Sequence, residues 1–127
     1  MNGFEHPPGW RETEVAIGAD TMPRVLCVDD EPSMLDIFDL VLGDVCDLAV
    51  AGSGEEALEI VESSPPFAAV LSDFRMPGMD GIELLRAVRE RDADSVLLLL
   101  TGFPNLATVI ESLNSGLLFR YLEKPTD

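Results

Sequence analysis

The sequence predicts one α/β domain, an open parallel sheet of five strands doubly wound with helices. Three observations carry that expectation. At 127 residues the chain is long enough for one proper core and too short for two. From Arg24 onward short apolar runs alternate with amphipathic stretches, and the runs 25–28, 68–72 and 96–101 are apolar almost throughout, as strands covered on both faces are. The connections are short, and strict β-α alternation with short connections implies right-handed crossovers into a parallel sheet.

Residues 1–23 carry Gly, Pro and Thr without sustained periodicity and are expected to form a flexible N-terminal extension. His6, the only histidine, sits beside Pro7 and Pro8 and reads as a solvated leader residue rather than a metal ligand or phosphohistidine. The first strand, 25–28, leads into a helix whose first position suits Pro32. A second strand, 48–51, precedes a helix opened by Ser53 and Glu56, and a third, 68–72, precedes one opened by Asp80 and Glu83, both at capping-box spacing. The fourth strand, 96–101, is followed by Leu106, Val109, Ile110 and Leu113 on one helical face, with Gly116 as a C-terminal stop. A fifth strand is expected over 119–122. Cys27 and Cys46 lie at or beside strands without CxxC spacing and read as reduced core residues.

Charge narrows the function. With 24 acidic against 8 basic residues the net charge is −16, which repels nucleic acid and anionic membrane surfaces alike. Direct binding to either is not expected. No apolar run approaches the ~20 residues needed to span a bilayer, and the first ten residues have neither a basic leader nor an apolar core of signal-peptide length. A cytoplasmic location is the default expectation.

The stretch RVLCVDDEP drives four apolar side chains straight into two adjacent carboxylates, Asp29 and Asp30. In doubly wound sheets ligands bind beyond the carboxyl ends of the strands, where the winding reverses. Those ends carry Asp29 and Asp30, then Asp73, Thr101 and Lys124. In the flavodoxin-like strand order 2-1-3-4-5, the first and third strands are neighbours, so the three carboxylates meet. They cannot all stay ionised together without a cation, and an all-oxygen donor set with few protein ligands selects Mg²⁺. Lys124 is the only lysine, and with it and Mg²⁺ the three carboxylates carry no net formal charge. Such a site admits a further anion, most economically a phosphoryl group. Mg²⁺ and Lys124 would neutralise its oxygens, Thr101 would donate a hydrogen bond, and Asp73, ahead of the open loop FRMPGMDG, would be the nucleophile.

Each residue alone has an ordinary reading as a turn, a surface charge or a local hydrogen bond. Their joint placement at the ligand-facing ends is harder to assign to chance. Two rivals are weaker. Gly52, Ser53, Gly54 and Ala57 fit G-x-G-x-x-A, but Glu55 and Glu56 occupy the helix start where a pyrophosphate would sit, and the motif follows the second strand. A haloacid-dehalogenase type of phosphotransferase needs DxD spacing, which Asp29 and Asp30 do not meet. Neither rival accounts for Thr101 and Lys124.

The pieces VLCVDDEP, LSDFRMPGMDG, LLLLTG and RYLEKP, in order over residues 24–126, resemble the receiver (CheY-like) domain of two-component response regulators. The resemblance implies that Asp73 accepts a phosphoryl group from a sensor histidine kinase or phosphotransfer protein. It implies Mg²⁺ held by Asp30 directly, by Asp29 largely through water, by Asp73, and by the main-chain carbonyl of Arg75. Thr101 and Tyr121 then resemble the switch pair that signals to an output domain or partner protein, and the Lys124–Pro125 bond is implied to be cis. By the same resemblance Arg75 and Phe103 tune phosphoryl lifetime, and the domain is a signalling switch rather than an enzyme, promoting only its own phosphorylation and dephosphorylation. A receiver normally continues into a fifth helix, whereas this chain stops at Asp127. The expectation is therefore a C-terminally truncated receiver over 24–127 with four helices, the fifth absent, and half of one sheet face open to a homodimer partner or another segment. The alternative function is a degenerate receiver acting as a phosphorylation-independent interaction module; the intact Asp29, Asp30, Asp73, Thr101 and Lys124 argue against it.

Overall fold

The computed structural model describes residues 22–102 and 106–124. His6 with the rest of 1–21, Phe103, and the Lys124–Pro125 bond lie outside the described residues. The described chain alternates β1 (Arg24–Val28), α1 (Pro32–Leu42), β2 (Asp47–Ala51), α2 (Gly54–Ser63), β3 (Ala69–Asp73), α3 (Gly81–Arg91), β4 (Val96–Thr101), α4 (Leu106–Asn114) and β5 (Arg120–Glu123). All pairings are parallel and the order is β2-β1-β3-β4-β5, as the sequence predicts. No helix among the described residues is long and apolar enough to cross a membrane.

The winding follows from which face each strand residue presents. Leu26, Val28, Val70, Leu97 and Leu99 point into the larger core, against Ala57 of α2, Ile82, Leu84, Leu85 and Val88 of α3, and Leu113 of α4. Cys27, Leu71 and Leu100 point the other way, against Met34, Leu35 and Phe38 of α1. The middles of the central strands are thus apolar on both faces, with polar residues confined to their ends, whereas the edge strands β2 and β5 bury little. Burial pushes the Cys27 thiol up to about 12, with Cys46 nearby adding to it, so Cys27 is an inert core residue; both cysteines are free. On α1, Ile37, Leu40 and Val41 are exposed, as is Leu122 on β5.

Local chemistry sets the helix ends. Pro32 opens α1. Asp80 and Glu83 close a full capping box on α3, with Glu83 N–H donating to Asp80 Oδ1 at 2.8 Å and Asp80 N–H to Glu83 Oε1 at 3.1 Å. On α2 the box is displaced by one residue: Ser53 accepts from Glu56 N–H, but the Glu56 carboxylate takes the N–H of Gly52. The chain's own acid therefore fills the Gly-rich turn that a pyrophosphate would need. Gly116, at φ 82°, ends α4 in a Schellman turn, with Gly116 N–H bonded to Leu113 O and Leu117 N–H to Ser112 O.

Candidate functional site

The β1 ladder ends at Val28, so Asp29 is the first residue beyond it, tied to the neighbouring strand by its N–H to Ala51 O at 3.1 Å. Its side chain is fully buried, and Oδ1 accepts from the N–H of Glu31 at 2.9 Å. Asp30, next along, is exposed. Asp73 is the last residue of β3, paired with Leu100 of β4, and is 5% exposed. The expected strand ended one residue earlier; the backbone keeps its ladder partner while the side chain already stands at the sheet's tip. Asp29, Asp30 and Asp73 each offer an oxygen, all within 4.8 Å of one another.

Lys124 follows β5, its N–H bonded to Thr101 O at 2.9 Å, and its ammonium reaches back over the sheet edge. Nζ lies 2.9 Å from Asp29 Oδ2, 3.3 Å from Asp73 Oδ1 and 3.5 Å from Glu31 Oε1. Asp29 Oδ2 is buried and meets the Lys124 ammonium as its one close partner among the described residues. Burial works against the ammonium, but Asp29 and Asp73 outweigh it and hold the Lys124 pKa above its usual value. For Asp73, burial followed by the Asp29 charge pushes the carboxyl up to about 6, against the pull of Lys124.

Acid-on-acid crowding with one ammonium is unbalanced, and the donor set is oxygen only. Three carboxylate oxygens within 4.8 Å of one another, one of the carboxylates fully buried, fit a hard divalent cation. Above Asp73 a cavity of about 150 Å³ is lined by Glu31, Arg75, Thr101, Gly102 and Lys124. Thr101, at the end of β4, is 2% exposed. Tyr121 is partly buried on β5 and packs with the larger core. The loop from Asp73 to α3 is drawn tight: Gly81 N–H donates to Phe74 O at 2.8 Å, and a Cβ on Gly81 would overlap the Asp73 carbonyl oxygen. Gly54 of α2 accepts the Met79 side chain so closely that an added Cβ would lie 2.9 Å from its sulfur.

The structure thus gathers Asp29, Asp30, Asp73, Thr101 and Lys124 at one end of the sheet, with Arg75 at the mouth and Tyr121 apart on β5. Glu31 is the residue that sequence reasoning missed. Its signal was a third consecutive acid in VDDEP, hidden because the position reads as an ordinary helix start.

A doubly wound domain with this acidic edge belongs to a known structural class. A model of the response regulator receiver domain matches residues 25–127. The C4-dicarboxylate transport transcriptional regulatory protein DctD of Pseudomonas aeruginosa is 35% identical over 107 residues, covering 84% of this chain and 23% of DctD. A crystal structure described as adenylate cyclase from Rhodopirellula baltica superimposes with a TM-score of 0.79 at 39% identity, over 84% of this chain and 78% of that one. The response regulator TrrA of Thermotoga maritima, in complex with Mg²⁺ and BeF, gives a TM-score of 0.72 at 29% identity, over 84% and 90% of the two chains. The chain belongs to the response regulator receiver family, the signalling domains of two-component systems. It spans about a quarter of the length of DctD.

Proposed function

We propose that this domain is a phospho-acceptor switch that takes a phosphoryl group onto Asp73 in a Mg²⁺-dependent reaction, from the phosphohistidine of a sensor histidine kinase or phosphotransfer protein. The observation that carries the reading is the convergence of Asp29, Asp30 and Asp73 with the chain's sole lysine beneath one small cavity. Residues 24–127 form the receiver and 1–23 an extension to it. An Asp73 carboxylate oxygen attacks phosphorus, the phosphorus–nitrogen bond to the donor imidazole breaks, and the imidazole, already protonated on its other ring nitrogen, leaves neutral. Mg²⁺, held by Asp29, Asp30, Asp73 and the main-chain carbonyl of Arg75, would supply neutralisation of the phosphoryl oxygens.

Lys124 follows the charge from Asp73 to the new phosphoryl group, and the Thr101 hydroxyl donates to one of its oxygens. Tyr121 turns inward behind Thr101, which changes the surface offered to an output domain, a partner protein or a second copy. The protein acts as a cytoplasmic signalling module, an enzyme only toward its own phosphorylation and dephosphorylation.

The test is intact mass after incubation with acetyl phosphate and Mg²⁺, alongside Asp73→Asn. One phosphoryl increment in the parent, absent in the variant and absent with chelator, is the expected result. A folded parent that takes none would instead make the domain a phosphorylation-independent interaction module.

A further inference from the structure

The first acid after the metal pair has an unusual posture. Glu31 stands at the N-cap of α1, where a short polar side chain would ordinarily turn back to an open helix N–H. Its side chain makes no such bond. It crosses instead to Lys124, 93 residues away, with Oε1 at 3.5 Å from Nζ, and it stays 62% exposed. The same side chain lines the mouth of the cavity over Asp73, with Arg75, Thr101 and Gly102.

Lys124 has three N–H donors and three carboxylates within reach. An arriving phosphoryl oxygen must displace one of them. Asp29 is fully buried and its contact is shortest, and Asp73 carries the attacking oxygen. The carboxylate free to yield is Glu31, the most distant and the one in contact with solvent.

Resting on the phospho-acceptor reading above, we propose that Glu31 is a positioning residue that acts as an anionic gate. It holds one Lys124 donor in the resting state and repels small dianionic phosphodonors from the cavity, so that Asp73 is phosphorylated slowly unless a partner's donor displaces it. A kinase or phosphotransfer protein bringing a cationic group to the mouth would engage Glu31 and open the site. A free small-molecule donor has no such means.

The test compares parent and Glu31→Gln in acetyl phosphate with saturating Mg²⁺, following phosphorylated protein by intact mass over time. The transfer is balanced: the Asp73 oxygen–phosphorus bond forms, the phosphorus–oxygen bond to the acetyl group breaks, and acetate leaves. At low ionic strength Glu31→Gln is expected to react about fivefold faster, the size of one unscreened unit charge near a dianion at a wet surface. The ratio should fall toward one near 0.5 M salt, where the screening length is a few ångströms. A merely structural role would not produce that salt dependence, and the missing cap bond means the variant has no helix cap to lose. Equal rates, or a slower variant, in a parent that is phosphorylated would overturn the gate and leave the acceptor reading standing. A folded parent that takes no phosphoryl group at all would overturn the acceptor reading, and the gate with it.

Discussion

At the scale of single residues, Asp73 is a buried carboxylate held beside another, Asp29. Its folded pKa of about 6 lies above the roughly 3.9 of an unfolded aspartate. Between about pH 4 and 6 the native state therefore binds more protons than the unfolded one, and the metal-free protein loses stability as pH rises through that window. Asp73→Asn removes the charge while Lys124 keeps Asp29 as partner. In chelator at pH 7.5 the variant should be more stable by on the order of 2 kcal/mol, with the difference vanishing near pH 4, as urea unfolding would show. A variant no more stable than the parent would mean that water or local relaxation already relieves Asp73. Arg75, exposed at the cavity mouth, belongs to the same scale. Arg75→Ala should change the decay of phosphorylated Asp73 more than the level reached at saturation; a time course with unchanged decay would refute this.

At the scale of elements, the β3–α3 connection is the tightest joint. Gly81 lies against the Asp73 carbonyl with no room for a methyl group, and Asp80 beside it caps α3 through both bonds of the box. Asp80→Ala should cost about 1 kcal/mol by loss of the cap. Gly81→Ala should cost more, because the backbone carrying Asp73 must move; thermal unfolding would rank the two, and the reverse order would show that the loop gives way easily. The strands, the helices and their ends were legible in the sequence because each obeys a local rule: apolar runs, Pro32 at a first turn, paired acids at capping spacing, Gly116 at a left-handed stop. The β5 boundary moved by one residue because Phe119, apolar in sequence, is exposed ahead of the ladder. Where a rule needed a distant partner it was silent. The seat of Met79 on Gly54 and the carbonyl behind Gly81 are tertiary contacts between residues whose types alone suggest nothing.

Across the whole molecule, a net charge of −16 includes three carboxylates gathered at one end of the sheet. A divalent cation that binds only the folded chain stabilises it by mass action. At a tenfold excess over its dissociation constant, Mg²⁺ should raise the melting temperature by about 5 °C in ionic-strength-matched buffer, and Asp30→Asn should abolish most of that rise. A gain equal in Na⁺ and Mg²⁺ would mean general screening only. The strand order that brings Asp29 beside Asp73 is the flavodoxin-like one expected from the sequence, a choice among the orders that right-handed winding allows. Glu31 beside Lys124 was not, because it depends on the direction a long exposed side chain takes.

The solitary lysine has a consequence for protein chemistry. With no other side-chain amine in the sequence, an acylating reagent has only Lys124 and the chain's α-amino group to modify. Lys124 is 14% exposed, ion-paired and held protonated, the state in which an amine is not a nucleophile. Acylation at this position therefore clocks the opening of the sheet edge, one mass increment per event, with no other lysine to blur the count.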